Sequence, residues 1–209
     1  MLKTIKQLTL SATLLAATAF AHAAPVSFNV NLSSLNPGSG YGIDAHEAAG
    51  KLIDVRFNAQ TTPYSFTLNN AGDYHLFQVG TVSFQEPNTN GGINGTEAAG
   101  DLGVTALFSF TNPFGGTQTL EAFGTAYTGM LADAAVDFQL TWFATTVTFN
   151  GGSFSLALMP LAFNNTNQTQ ALWAMISLNP ASGNVPEPTS VALIGLALAG
   201  LSLARRKRA

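Results

Sequence analysis

The chain carries 209 residues, no cysteine and a formal net charge of −3. Of its Lys and Arg residues only Lys51 and Arg56 fall between Ala24 and Asn184, where ten carboxylates against those two cations leave a charge near −8. A surface of that sign repels phosphate backbones and anionic lipid, which excludes nucleic-acid binding, and the missing thiol excludes a cysteine nucleophile.

Residues 1–23 read as a secretory signal peptide. Lys3 and Lys6 make a positive start, residues 8–20 an apolar run, and Ala21-His22-Ala23 a small-x-small cleavage site, with Ala21 and Ala23 as its recognition residues. Cleavage after Ala23 leaves Ala24 as the new N-terminus.

Residues 24–184 form the body, a length that suits one domain and buries a core without disulfides. It reads as strands almost throughout. Val26, Phe28, Val30 and Leu32 alternate with Ser27, Asn29 and Asn31; Ile53, Val55 and Phe57 alternate with Asp54, Arg56 and Asn58; Tyr64, Phe66 and Leu68 alternate with Ser65 and Thr67. This is the period of a half-buried strand. Further strands are expected over residues 74–84, 102–111, 118–128, 136–149, 153–163 and 170–178, separated by Gly, Asn and Pro clusters such as Asn69-Asn70-Ala71-Gly72 and Asn150-Gly151-Gly152. Short strands at this spacing predict an all-β body, an antiparallel β-sandwich or jelly roll. Its expected core is Phe28, Val55, Phe66, Leu76, Val104, Phe108, Phe138, Leu140, Trp142, Leu156 and Leu172. Trp173, of opposite parity to Leu172, either caps the second sheet or lies exposed. Helix is expected only at residues 45–49 and 130–135.

Residues 85–101 are the one long polar stretch. Glu86, Asn88, Asn90, Asn94, Glu97 and Asp101 bring the oxygen ligands that Ca²⁺ takes, but at no fixed ligand spacing, and the reading adopted is a flexible surface loop without metal. Asp44-Ala45-His46-Glu47 lacks a second histidine at partner spacing and reads as a solvated turn. Glu47-Ala48-Ala49-Gly50 recurs as Glu97-Ala98-Ala99-Gly100, a match that an Ala- and Gly-rich chain produces by chance. No catalytic constellation stands out. Glu121 with Asp133 and Asp137 would be the candidates for a glycosidase carboxylate pair, against a reading as exposed surface charges.

The last segment, residues 185–209, has three parts. Pro186 and Pro188 fix their φ angles and lack backbone donors, so Pro186-Glu187-Pro188 is extended with one charge at its centre. Residues 191–204 form an apolar run without a charge, and Arg205, Arg206, Lys207 and Arg208 follow. As a helix, residues 189–204 would reach roughly 24 Å against the ~30 Å hydrocarbon core, a marginal transmembrane helix whose basic end belongs on the cytoplasmic side.

This order of proline-bracketed glutamate, short apolar run and basic end resembles the PEP-CTERM sorting signal of Gram-negative bacteria. The resemblance implies that exosortase, a membrane-embedded processing enzyme, reads the tail and cleaves near Pro186, Glu187 and Pro188. It also implies export through the inner membrane, a transient hold there by the C-terminal helix, and a final place at the cell surface or outside the cell, in organisms that make exopolysaccharide. The body carries no resemblance of its own. The expected function is that of a non-catalytic surface or matrix protein without cofactor, associated with exopolysaccharide or biofilm. Two alternatives stay open: a secreted carbohydrate-active enzyme, and an ice-binding-like module.

Overall fold

The first strand, β1 (Val26–Pro37), buries Phe28, Val30 and Leu32 and turns Ser27, Asn29 and Asn31 to the other face, as the alternation requires. A register shift between Leu32 and Ser34 inserts one extra residue and carries the strand on to Pro37, beyond the Leu32 where alternation alone ends it.

The computed structural model describes residues 25–43, 52–87, 92–131 and 133–180. The expected signal peptide with Ala21 and Ala23, the turn expected at Asp44-Ala45-His46-Glu47 with the helix expected at 45–49, and the whole tail lie outside the described residues. Pro25–Pro180 forms one compact unit.

Its remaining elements are β2 (Tyr41–Gly42), β3 (Ile53–Ala59), β4 (Tyr64–Leu68), β5 (Tyr74–Phe84), the single helix turn α1 (Gly95–Ala98), β6 (Gly103–Asn112), β7 (Gly116–Ala126), β8 (Phe138–Trp142), β9 (Thr145–Phe149), β10 (Gly152–Leu158), β11 (Leu161–Phe163) and β12 (Gln168–Leu178). They make two six-stranded sheets. The first has the order β11-β8-β7-β6-β1-β4 and the second β2-β3-β5-β12-β10-β9.

The inner faces of the two sheets meet through phenylalanine. Phe28 of β1 stands edge-on to Phe154 of β10 at 5.1 Å, and Phe84 of β5 meets both Phe138 of β8 and Phe163 of β11 at 5.9 and 5.8 Å. These rings are fully buried, each stabilising the fold by about 1.5–3 kcal/mol through removal from water, with a smaller gain from ring geometry. One continuous core results.

Most of the expected core is buried there: Phe28, Val55, Val104, Phe108, Phe138, Leu140, Trp142, Leu156 and Leu172. Phe66 is half-buried, stacked on Phe28 at 5.1 Å. Leu76 is a correction, because it is 41% exposed. Against β12, Leu172 opposes Gly80 and Trp173 opposes Gln78, so Val79 is an extra residue in β5. The bulge reverses the parity of the strand: Phe77 and Val79 face the core before it, Val82 and Phe84 after it. Gly80 is needed at this place, since a Cβ there would stand 2.3 Å from the carbonyl oxygen of Asn58. Trp173 stands on the outer face of the second sheet, 38% exposed.

Other differences have local causes. The expected strand 136–149 is two strands in different sheets, the chain crossing at Phe143 and Ala144. The expected strand 153–163 breaks at Met159-Pro160 for the same change of sheet, and Pro160 has no N–H to continue a ladder. The architecture is mixed rather than purely antiparallel, because β2 runs parallel to β3. At 130–135 no helix forms among the described residues: Ala134 has φ +74°, and the Asp133 carboxylate accepts from Ala135 N at 3.0 Å, a local turn that competes with helix.

Candidate functional site

The three expected carboxylates stand in different settings once folded. Glu121 is exposed on the outer face of β7, opposite Thr105, whereas Asp137 is buried just before β8. Asp133 lies on the exposed turn already described.

The described part of the polar stretch 85–101 is held in place rather than loose. Glu86 is buried and its Oε2 accepts from Asp54 N at 3.0 Å. Ile93 is buried and bridges Gly129. Asn94 caps α1, its Oδ1 accepting from Thr96 N and Glu97 N, while Glu97 Oε2 accepts from Asn94 N at 2.7 Å. This reciprocal capping box was visible as Asn94-x-x-Glu97 and buries Glu97 almost completely. Asp101 Oδ1 accepts from Gly103 N at 3.2 Å. The carboxylates thus serve separate backbone groups, and among the described residues no cluster of three or more metal-ligating side chains forms. Of the expected ligands, Asn88 and Asn90 lie outside the described residues.

A surface that the sequence reading did not single out is better organised. On the outer face of the first sheet, β4, β1 and β6 bring short polar side chains into register. Ser27 Oγ and Thr67 Oγ1 share a hydrogen bond at 3.2 Å, Asn29 Nδ2 donates to Ser65 Oγ at 2.8 Å, and Thr111 Oγ1 donates to Asn29 Oδ1. Ser33 and Ser109 hydroxyls meet at 2.6 Å. Asn31, Ser109 and Thr117 continue the same face across β1, β6 and β7. Between β4 and the end of β6 the face dips into an open cleft of about 520 Å³, edged by Ser27, Asn29, Ser65, Thr67, Thr111 and Asn112; Phe28 and Phe66 also line it, with their rings stacked on each other on the inner face.

None of the cleft's lining residues is ionisable. The side chains of Ser27, Thr67, Asn29, Ser65 and Thr111 are held by one another, so their rotamers are set before any ligand arrives, and each keeps spare donor or acceptor capacity. Chemically, such a surface suits a neutral ligand rich in hydroxyl groups. The signal for it lay in the outward half of each alternation, but which strands would be neighbours was not in the sequence pattern.

The expected processing residues Pro186, Glu187 and Pro188 and the basic residues Arg205, Arg206, Lys207 and Arg208 lie outside the described residues, as does the apolar run. Among the described residues no helix is long and apolar enough to cross a membrane.

Comparison with known proteins bears on that tail. Residues 184–208 match the PEP-CTERM protein-sorting motif. No curated protein and no solved structure matches the chain. The motif marks the protein as an exported substrate of exosortase, a membrane enzyme, with a cell-surface or extracellular destination.

Proposed function

We propose that this protein is a non-catalytic component of the cell surface or its matrix, whose body holds neutral extracellular polysaccharide on the outer face of the first sheet. The observation that carries the reading is the preset, charge-free row of Ser27, Asn29, Ser65, Thr67 and Thr111 on a chain that bears an export and sorting signal. An acidic body would be pushed away from an anionic polymer, which favours a neutral glycan.

In this account the signal peptide is removed after Ala23, and the apolar run holds the precursor in the inner membrane with Arg205, Arg206, Lys207 and Arg208 on the cytoplasmic side. Gly195 and Ala199 give that run a small-xxx-small face on which a helix of exosortase can approach closely. The rigid Pro186-Glu187-Pro188 segment presents its peptide groups to the enzyme in extended form, with Glu187 as the charge it reads. Cleavage releases the body outward.

The test is a glycan array probed with the exported protein, with and without Ca²⁺, alongside Asn29→Ala. Retention of neutral glycans without release of saccharide, weakened by Asn29→Ala in a variant that keeps its β circular dichroism, is the expected result. Saccharide release would instead favour a carbohydrate-active enzyme, and absence of any retained neutral glycan would overturn the proposal.

A further inference from the structure

From residue 138 to residue 186 the sequence contains no Asp, Glu, Lys, Arg or His. This stretch includes β12, β10 and β9, three consecutive strands of the second sheet. An acidic body therefore has one flank without charge. Among the described residues that flank ends in β9, which has β10 on one side and no strand on the other.

Sheet edges are normally guarded by extreme shortness, charge, Pro or bulges, because their free N–H and C=O groups template another strand. The other edges here are guarded. β2 and β11 have two and three residues, and β4 follows Pro63 and has its outward hydroxyls engaged by β1. β9 has none of these devices. Thr145-Thr146-Val147-Thr148-Phe149 is β-branched in four of five positions, and its register against β10 runs unbroken through all five.

We propose that β9 is a pairing edge for a second copy of this chain, with two β9 strands meeting antiparallel about a two-fold axis at Val147. In that register Val147 faces its own counterpart, Thr146 faces the partner's Thr148, and Thr145 faces the partner's Phe149. Each residue keeps its face, since Val147 is buried and Thr146 and Thr148 are exposed, so the inner faces of the two sheets join as one continuous layer.

Charge singles out this edge as the place where two copies can pair. Two bodies of like charge repel, and they come together with least cost where carboxylates are farthest. Along the second sheet the first carboxylate beyond β9 is that of Asp73, whose carbonyl accepts from Leu178 N at the far side of β12. Three strand spacings put it on the order of 14 Å from β9, past the Debye length of ~8 Å. Glu121 is nearer in backbone terms, since its carbonyl accepts from Phe143 N, but its side chain stands on the outer face of the first sheet. Phe143, 62% exposed at the start of this edge, adds apolar surface that pairing covers.

The experiment is sedimentation velocity of the exported chain over a concentration series, with two double variants: Thr146→Glu with Thr148→Glu, and Thr146→Lys with Thr148→Lys. The parent is expected to dimerise as concentration rises. Each double variant sets like charges opposite one another across the two-fold axis and is expected to dimerise at least roughly tenfold more weakly. An equimolar mixture of the two is expected to restore the dimer, because Glu then faces Lys. Parental protein that stays monomeric at its highest soluble concentration overturns the proposal without recourse to any variant. Folded double variants that dimerise as the parent does overturn it as well. The pairing requires neither a glycan nor the sorting signal, so a monomeric result leaves the function proposed above as it stands.

Discussion

The hydroxyl of Tyr41 donates to the carbonyl oxygen of Leu102 at 2.7 Å, and Gly124 N donates to the same oxygen at 2.8 Å. A residue of β2 in the second sheet is thereby tied to the first sheet at the point where β6 begins beside β7. Burial, and then the Asp101 carboxylate, push the Tyr41 hydroxyl far above the ordinary tyrosine range. In the unfolded chain it titrates near pH ~10. The unfolded state therefore loses its proton first, so the stability held by neutral Tyr41 is complete below about pH 10 and falls as pH rises above it. Tyr41→Phe is expected to cost about 1 kcal/mol near neutrality and to flatten the alkaline fall in melting temperature. Melts of both proteins at neutral pH and at about pH 11 check this; equal alkaline slopes contradict it.

The bulge at Val79 separates two adjacent side chains of β5 by their energetics. Phe77→Ala removes a buried ring and is expected to cost about 3–5 kcal/mol. Leu76→Ala, at an exposed site, should stay under ~1 kcal/mol. Urea unfolding of the two variants gives the comparison directly, and a larger loss for Leu76→Ala would mean that the strand has the opposite parity.

The capping box makes a smaller but specific claim. Asn94→Ala removes the acceptor of Thr96 N and Glu97 N and is expected to lower stability by about 1 kcal/mol, seen as a few degrees in melting temperature. Glu97→Gln keeps an oxygen for Asn94 N and should cost less than Glu97→Ala. If the two Glu97 variants melt together, the buried carboxamide is not replacing the carboxylate.

How far the sequence could be read follows from how local each signal is. Alternation within single strands, as in β1, β6, β8 and β10, gave most of the expected core, because the inward face of a strand is fixed by its own residues. Leu76 failed because the extra residue at Val79 is dictated by pairing with Leu172 and Trp173, far along the chain. The crossings at Phe143-Ala144 and Met159-Pro160 were signalled but passed over: at each the inward positions change from even (Phe138, Leu140, Trp142; Phe154, Leu156, Leu158) to odd (Val147; Leu161, Phe163), and Pro160 cannot continue a ladder. Asn94-x-x-Glu97 was legible as a capping box and was passed over inside a polar stretch. The polar cleft depends on β4, β1 and β6 being neighbours, which only the folded topology supplies. The sorting tail needed no fold, since its three parts are contiguous in the sequence.

The sorting account turns on Glu187. The measurement is fractionation of a host that possesses exosortase, comparing the parent with Glu187→Ala by immunoblot of inner membrane, cell surface and medium. The first export step should proceed in both, because the expected signal peptide, residues 1–23, is untouched, and N-terminal sequencing should find Ala24 first. The account expects uncleaved Glu187→Ala protein to accumulate at the inner membrane while the parent is shortened and reaches the surface. Glu187→Ala protein that is processed and surface-exposed to the same extent as the parent would contradict it.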